Sequence, residues 1–477
     1  MGDEGAVVGG ELLLPAVAGP ARGRGRALQS ALRTAVREGR LAPGARLPSS
    51  RALAADLGVS RGLVTEAYEQ LTAEGYLRSG HGSGTWVSGA AREAARPPVR
   101  DEAPRQEAGW ADFTPGLPDL SLFPRAAWAA AQRAAVSGTA HAALGYPDPR
   151  GVPRLRTELA GLLARRRGVA ADPERLVVCA GVAQALALVC AELRARGERV
   201  IAVENPGSPG HGALFETAGV GTVGVPVDSG GIDVGALRRS GARTVVVTPA
   251  HQFPVGCAYS PGRRAELLDW AREVDGLVLE DDYDGDFRYD RAPVGALQGL
   301  DPERVLYCGS ASKSLAPGLR LGWLVAPARH AGALADRKRT TDLGAPVLEQ
   351  ETFAYFLERG SYDRQLRRCR QVYRQRRDVL VAALARRLPQ ARVTGIAAGL
   401  HALVQLPPGC GDAATTVDRA ARLGVTVVPL SAYGTTGNTV GRARWDGGAV
   451  LVIGYAHLSE SRIEEGVRRL AEACGPP

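Results

Sequence analysis

Hydrophobic positions divide the chain into a short N-terminal segment with helical spacing and a long C-terminal segment in which apolar runs alternate with longer amphipathic stretches. The apolar runs of the C-terminal segment occupy residues 175–180, 199–204, 243–249, 276–282 and 304–310. Continuous apolar strands separated by helices are typical of a mainly parallel sheet that is covered on both faces. The C-terminal segment is therefore predicted to be an α/β domain.

The N-terminal segment predicts three helices. Residues 26–36 have helical spacing, and two prolines and a glycine within 41–48 then interrupt the pattern. Ser49 and Ser50 can cap a second helix that ends at Gly58, and Ser60 can cap a third.

The third predicted helix has an apolar stripe and a polar face. The stripe consists of Leu63, Val64, Ala67, Tyr68 and Leu71, whereas Arg61, Thr65 and Glu69 face away from it. Two short helices joined by LGVS form a helix-turn-helix pattern, in which the later helix presents its first residues to the major groove. A small helical module for protein contacts would show the same spacing.

A hairpin with glycines at positions 80, 82 and 84 is predicted for residues 76–88. Its flexible tip could approach a DNA backbone or minor groove closely, as the wing of a winged helix does. Residues 89–110 are rich in Ala, Pro and charge and have almost no large apolar side chain, so we interpret them as a linker. The predicted domains are 20–88 and 111–475.

Charge and cysteine content narrow the function classes. The net charge is +9, and ten Arg against five acidic residues between Arg22 and Arg78 account for about half of it. This basic segment favours a nucleic-acid partner, although Arg-rich composition of the whole chain would also produce it. The seven cysteines form no CxxC pair, so no metal site is predicted, and no signal peptide or membrane span is evident. We expect a cytoplasmic protein.

The chain has two lysines, Lys313 and Lys338. Lys313 follows an apolar strand in GSASKSLAPGLRLGW, and a lysine that forms an imine must be partly desolvated so that its amine is neutral. Lys338, in ADRKRTTD, is expected on an exposed helix face. Ser310, Ser312 and Arg320 can hold a phosphate near Lys313. A lone lysine that merely ends a strand at the surface is the plainer alternative.

Three further features favour a pyridoxal phosphate site. Asp281 ends a predicted strand, where a carboxylate can pair with a protonated pyridine nitrogen. Tyr283 can hydrogen-bond the phenolic oxygen of that cofactor. The amides of Gly181, Val182 and Ala183, between a strand and a helix, can hold its phosphate.

The N-terminal segment resembles the winged-helix domain of the GntR regulator family, through LAPGARLPSSRALAADLGVSRGLVTEAYEQLTAEGYL and HGSGTWV. This resemblance covers about seventy residues. The residues that it implies as contacts to an operator in double-stranded DNA are Arg51, Ser60, Arg61, Thr65, His81 and Gly82. Gly62 departs from the hydroxyl residue that is frequent at this position.

The C-terminal segment resembles the fold type I aminotransferases, and the whole chain looks like the MocR-type branch of the GntR family. The motifs that carry the second resemblance are GYPDPRG, AGVAQ, ENPGSPG, TPAHQFPVG, EDDYD and SASKSLAPGLRLG. The resemblance implies a homodimer, a mainly parallel sheet and a smaller C-terminal α+β subdomain.

Two positions depart from the aminotransferase pattern. Ser208 replaces an aromatic residue that is usual near the cofactor, and Val452 replaces the arginine that anchors a substrate carboxylate. Loss of that bidentate anchor weakens amino-acid binding, so we expect vestigial or weak transaminase activity and no catalytic residues.

The sequence therefore predicts a DNA-binding transcriptional regulator whose pyridoxal phosphate, alone or together with an amino compound as effector, changes the arrangement of the DNA-binding domains. An active aminotransferase that carries a DNA-binding extension is the alternative. A third hypothesis is a protein that has lost its cofactor and keeps the fold as a dimerisation scaffold.

Overall fold

The computed structural model describes residues 23–80, 84–89, 109–434 and 448–475. The chain divides into two compact units, residues 1–105 and 106–477. Most of the predicted linker, 89–110, and the predicted wing-tip contacts His81 and Gly82 lie outside the described residues.

The first unit consists of three helices and a small sheet. Its elements are α1 (Arg24–Arg37), β1 (Arg46–Leu47), α2 (Ser50–Leu57), α3 (Arg61–Ala73), β2 (Leu77–Gly80) and β3 (Gly84–Val87). The three predicted helices are confirmed, because Ser49 Oγ accepts from the Ala52 amide and Ser60 Oγ accepts from the Leu63 amide at the starts of α2 and α3. Such caps satisfy amides that have no partner within the helix.

The apolar stripe of α3 forms the centre of the first unit's core. Val64, Ala67 and Leu71 are fully buried and pack with residues of α1 and α2. The predicted hairpin is also confirmed, because β2 and β3 pair antiparallel from Leu77 opposite Val87 to Gly80 opposite Gly84. Strand β1 adds to the other side of β3, which gives the sheet order β1-β3-β2.

The second unit contains a large sheet and a separate small one. Its strands are β4 (Ala111–Asp112), β5 (Leu176–Cys179), β6 (Val200–Asn205), β7 (Gly221–Asp228), β8 (Gly231–Ile232), β9 (Thr244–Val247), β10 (Leu277–Asp281), β11 (Val305–Ser310), β12 (Gly322–Val325), β13 (Arg392–Thr394), β14 (His401–Gln405), β15 (Val425–Thr426), β16 (Val428–Pro429) and β17 (Val450–Gly454). The five predicted apolar runs correspond to β5, β6, β9, β10 and β11.

The large sheet has the order β5-β12-β11-β10-β9-β6-β7-β8. The neighbours from β11 through β7 pair in parallel, whereas β12 is antiparallel to both β11 and β5. The prediction of a mainly parallel sheet is thus confirmed. Because this sheet is covered on both faces, β5, β9 and β10 consist of buried residues only.

Helices surround the two sheets of the second unit. They are α4 (Arg125–Gly138), α5 (Pro153–Arg167), α6 (Val182–Ala195), α7 (Pro209–Thr217), α8 (Val234–Ser240), α9 (Pro261–Glu273), α10 (Ala328–Asp342), α11 (Val347–Glu358), α12 (Ser361–Arg387), α13 (Ala413–Arg422) and α14 (Glu460–Ala473). The small sheet, in the order β13-β14-β17-β16, is antiparallel and follows the long helix α12 in the chain.

Strand β4 joins the start of the second unit to its C-terminal part. It pairs in parallel with β15, and the next apolar side chain, Phe113, is fully buried. The Phe113 ring lies so close to α14 that a Cβ at Gly466 would be 2.6 Å from its Cε2 and Cζ atoms. The residues directly after the predicted linker are therefore part of the core.

All seven cysteines are free thiols, and six of them are buried. Among the described residues, no helix is both long and apolar enough to cross a membrane.

Phe113→Ala should lower the free energy of unfolding of the second unit by about 3–5 kcal/mol, because it empties a fully buried ring site. Urea unfolding followed by circular dichroism measures this change. Leu120→Ala is the matched control, since Leu120 is 56% exposed. Equal stability of the two variants would contradict the packing described for β4 and α14.

Candidate functional site

The carboxyl ends of three strands lie together at one edge of the large sheet. Asp281 of β10 is paired with Cys308 of β11. Residue Gly322 of β12 is opposite Ser310 on one side and Cys179 on the other. The segments that follow β5, β10 and β11 therefore converge at this edge, where open α/β sheets bind their ligands.

Lys313 lies three residues past the end of β11. Its Nζ donates to the Gly116 carbonyl oxygen at 2.7 Å. Burial lowers the pKa of the Lys313 amine below its ordinary value, and the nearby carboxylates of Asp284 and Asp281 oppose this shift. The amine is thus neutral, and nucleophilic, more often than the amine of an exposed lysine.

The Asp281 carboxylate is buried, with 7% of the residue exposed. Its Oδ2 lies 3.1 Å from His211 Nε2, whereas Oδ1 has no hydrogen-bond partner in the part of the chain that the structure describes. A buried carboxylate oxygen without a donor is costly. A cationic N–H of a ligand at this edge would remove that cost.

Tyr283 follows β10 by two residues and is half-buried. Its hydroxyl lies 3.1 Å from His251 Nδ1. Burial, together with the neighbouring Asp284 carboxylate, raises the pKa of the Tyr283 phenol well above its ordinary value. The phenol therefore keeps its proton and can act as a hydrogen-bond donor.

Gly181 joins β5 to helix α6 and has a φ of 82°, a conformation that favours glycine. A Cβ at Gly181 would lie 2.8 Å from Nη2 of Arg320, whose guanidinium donates to the Ala180 carbonyl. The first amides of α6, at Val182 and Ala183, have no acceptor within the helix and can bind an anion. Arg320 is held beside them and adds a positive charge.

Ser310 is the last residue of β11, Ser312 directly precedes Lys313, and both serines are half-buried. Ser310 Oγ accepts from the Ser312 amide at 3.4 Å, so its own proton can be donated to a ligand. The structure thus brings Ser310 close to Ser312, and both precede the reactive amine.

Lys338 is not exposed, so the expectation for this residue was wrong. It is completely buried, and its Nζ lies 2.5 Å from Asp342 Oδ2. The same carboxylate oxygen accepts from Gln184 Nε2 at 2.7 Å, and Gln184 Oε1 accepts from the Ala180 amide. Charged neighbours in the sequence suggested an exposed face, but α10 packs against α6 at this position. Lys338 therefore supports the turn that precedes α6.

The two departures from the aminotransferase pattern have different surroundings. Val452 is completely buried, lies opposite Leu403 and Val428, and belongs to an apolar cluster that includes Val255 and Tyr433. Ser208 precedes α7 as its N-cap residue but makes no side-chain cap bond. An apolar side chain therefore occupies the position expected to anchor a carboxylate.

Sequence reasoning did not assign roles to Gly116, His211, His251 or Asp284. The motifs TPAHQFPVG and EDDYD contain two of these residues, but only the folded chain brings His251 next to Asp284, with His251 Nδ1 2.9 Å from Asp284 Oδ2. Gly116 contributes through its carbonyl, a group that every residue has, so no sequence signal could single it out.

The predicted DNA contacts lie in the first unit. Arg51, Ser60 and Arg61 are exposed, and Thr65 is half-buried. Ser60 and Arg61 mark the N-terminus of α3, the helix that corresponds to the reading helix of the helix-turn-helix pattern. A Cβ at Gly62 would meet nothing within 4 Å, so packing does not require glycine there.

Both units match known protein families. Residues 25–87 match the family described as bacterial regulatory proteins of the gntR family, and residues 112–470 match aminotransferase class I and II. Over 417 residues the chain is 35% identical to the HTH-type pyridoxine biosynthesis transcriptional regulator PdxR of Corynebacterium glutamicum, covering 86% of this chain and 89% of PdxR. It is 32% identical to the probable rhizopine catabolism regulatory protein MocR of Rhizobium meliloti, covering 94% of this chain and 93% of MocR.

The chain belongs to the MocR-type branch of the GntR family of transcriptional regulators.

The second unit of this MocR-type regulator is also similar to solved aminotransferases. The kynurenine aminotransferase of Pyrococcus horikoshii has a TM-score of 0.67 at 27% identity, covering 77% of this chain and 91% of that enzyme. The TM-score is 0.65, at 29% identity, for the α-aminoadipate aminotransferase LysN of Thermus thermophilus, which was solved with N-(5'-phosphopyridoxyl)-L-leucine. The match covers 77% of this chain and 92% of LysN. The fold of the second unit is therefore that of the fold type I aminotransferases, as predicted.

Lys338→Met should lower the free energy of unfolding of the MocR-type regulator by about 1–3 kcal/mol, because it removes the cation that is hydrogen-bonded to Asp342. Urea unfolding measures the change. The control is Arg339→Met on the same helix, where the side chain is 59% exposed, so stability should be almost unchanged. If the Lys338 variant were as stable as the control, the supporting role of Lys338 would be wrong.

Proposed function

We propose that the chain is a DNA-binding transcriptional regulator that holds pyridoxal phosphate on Lys313. One observation carries this proposal: the buried Asp281 carboxylate, one oxygen of which has no partner among the described residues, lies at the same sheet edge as the desolvated amine of Lys313. A cationic pyridine nitrogen would pair with that oxygen, and an aldehyde on the same ring would meet the amine. The similarity to aminotransferases supports this cofactor.

The residues at the sheet edge match the chemical groups of pyridoxal phosphate. When bound, the cofactor supplies an aldehyde carbon that forms a covalent bond with a neutral amine. Asp281 would hold the ring nitrogen, and Tyr283 would donate to the phenolic oxygen. The residues that we propose as phosphate ligands are Gly181, Val182, Ala183, Ser310, Ser312 and Arg320. Their donors include helix N-terminal amides, hydroxyls and a guanidinium, which suit a dianion.

Regulation is favoured over transamination by the surroundings of Val452. This side chain is buried among aliphatic and aromatic residues, so its position offers no donor for a substrate carboxylate. The relatives PdxR and MocR are named as regulators, which agrees with this choice. We propose that an amino compound acts as effector by binding one arrangement of the protein better than another.

We propose that α3 reads the operator in the major groove of double-stranded DNA. The exposed Arg61 at its N-terminus would contact a phosphate or a base edge, and Ser60 and Thr65 are placed on the same first turns. Arg51, at the start of α2, would contact the backbone, and the tip residues His81 and Gly82 would contact the adjoining groove.

We further propose a homodimer that works in the cytoplasm. Large apolar side chains are exposed around one groove of the second unit: Leu144 is 52% exposed, Tyr146 is 88% exposed and Leu343 is 52% exposed. Exposed apolar groups that line one groove are typical of protein interfaces. Two copies would place two DNA-binding units so that each reads one half-site. Free buried thiols agree with a reducing compartment.

Reduction of the protein–cofactor complex with borohydride should attach the cofactor to Lys313. Before reduction, the rate at which the cofactor bonds to Lys313 should rise with pH, because only the neutral amine reacts. This rate should level off below about pH 10.4, the ordinary lysine pKa, because the pKa of Lys313 is lowered. Peptide mass spectrometry locates the adduct. Lys313→Ala should abolish it and the visible absorbance band, whereas Arg339→Met, a change at an exposed side chain, should keep both. The other lysine of the chain is Lys338, and an adduct on Lys338 in place of Lys313 would exclude the proposed site.

Arg61→Ala should weaken operator binding and flatten its salt dependence, because one cationic contact to DNA is lost. The slope of log K against log salt should change by about 0.9. Fluorescence anisotropy with DNA from upstream of the chain's own gene, over a range of salt concentrations, measures both effects. Arg239→Ala removes the same charge from an exposed position in the second unit and should leave the slope unchanged. An unchanged slope in the Arg61 variant would count against this docking mode.

A further inference from the structure

A second layer of polar side chains lies behind Tyr283. His251 Nδ1 is 3.1 Å from the Tyr283 hydroxyl and 2.9 Å from Asp284 Oδ2. Both His251 and Asp284 are 3% exposed, so water does not compete effectively for their hydrogen bonds. One ring nitrogen is thus shared between a carboxylate and the phenol that faces the proposed cofactor.

The backbone at Gly399 leaves room for this pair of residues. A Cβ at Gly399 would lie 2.3 Å from both Asp284 Oδ2 and His251 Cε1, and its φ of 68° also favours glycine. The Gly399 carbonyl accepts from the Tyr289 hydroxyl at 2.6 Å and from the Tyr455 hydroxyl at 2.8 Å. The segment that precedes β14 is therefore held against His251 and Asp284.

His251 Nδ1 either carries a proton and donates a hydrogen bond, or has a lone pair and accepts one. It therefore cannot donate to Asp284 and accept from Tyr283 at the same time. An ionised carboxylate at Asp284 accepts only, so His251 Nδ1 must carry a proton to bond it at 2.9 Å. A protonated Nδ1 has no lone pair in the ring plane, and it therefore cannot accept the proton of Tyr283. This conclusion holds whether His251 is neutral or cationic.

We propose that His251, held by Asp284, is a positioning residue that keeps the hydroxyl proton of Tyr283 available for the phenolic oxygen of bound pyridoxal phosphate. This inference rests on the proposed function, because its ligand is the pyridoxal phosphate proposed above. Without Asp284, His251 could move its proton to Nε2, and Nδ1 would then accept the Tyr283 proton at 3.1 Å. The phenol would lose its donor capacity toward the ligand.

His401 completes the surroundings of His251. Its Nε2 donates to the Pro254 carbonyl oxygen at 3.2 Å, and its ring centroid is 4.9 Å from that of His251. Its Nδ1 is buried and has no hydrogen-bond partner among the described residues. His251, Asp284 and His401 offer ligand atoms within 4.8 Å of one another, so a bound metal ion is a rival interpretation. The ordinary hydrogen bonds of His251 and His401 favour the metal-free arrangement.

The first test needs no cofactor. Nitrogen NMR of the full-length protein, labelled at its seven histidines, reports which ring nitrogens carry protons. Loss of one resonance set in His251→Gln assigns His251. We expect a protonated Nδ1 at His251. A neutral His251 protonated only at Nε2 would overturn the proposal, as would a stoichiometric metal ion that is lost in His401→Ala.

The second test is a double-mutant cycle on the dissociation constant of pyridoxal phosphate, measured in the Lys313→Ala background so that the effect of the Asp284 carboxylate on the Lys313 amine does not contribute. Asp284→Ala and Tyr283→Phe should each raise it about tenfold, the loss expected for one hydrogen bond to a charged group. The double variant should bind within about twofold of Tyr283→Phe alone, because Asp284 acts through the Tyr283 hydroxyl. Asp290→Asn removes a negative charge from the same segment and should leave the constant unchanged.

Additive effects in the cycle would overturn the positioning role, since Asp284 would then act independently of Tyr283. This failure is distinguishable from failure of the proposed function. If pyridoxal phosphate did not attach to Lys313 at all, the borohydride experiment would fail, whereas the histidine NMR would still report the proton on His251.

Discussion

The site depends on a buried carboxylate that the protein itself does not fully satisfy. Asp281 has one oxygen beside His211 and one without a donor in the part of the chain that the structure describes. The fold maintains this costly arrangement because Asp281 ends a strand in the middle of the large sheet. That oxygen and the desolvated amine of Lys313 support the proposed ligand, which carries a cationic N–H and an electrophile on one scaffold.

The surrounding residues show how the same fold can be used for sensing. Gly181 and Arg320 lie at the proposed phosphate site, and hydrogen bonds that link Lys338, Asp342 and Gln184 hold the turn beside it. The position of the aminotransferase arginine is instead occupied by Val452 within an apolar cluster. The residues that we propose to hold the cofactor are thus present, whereas the position of the substrate-binding arginine differs. Such a division suits a protein that binds a ligand in order to change its own conformational equilibrium.

Local patterns were sufficient for much of the fold. Serines at 49 and 60 cap helices through contacts three residues away, and apolar runs such as 276–282 form buried strands whatever their partners are. The environment of Lys338 was not predictable in this way. Its charged sequence neighbours are typical of an exposed helix, but burial depends on α6, which lies about 150 residues earlier in the chain and packs against that face.

The sequence by itself determined the two kinds of domain, and it singled out the lysine that we propose to react and the carboxylate and phenol that we propose to accompany it. These features rest on short-range spacing and on the chemistry of single side chains. Only the tertiary structure decided that Gly116 contacts the Lys313 amine, that His211 lies at one oxygen of Asp281, and that His251 lies between Asp284 and Tyr283. Each of these contacts joins segments distant in sequence, so its geometry follows from the sheet order and not from any local pattern.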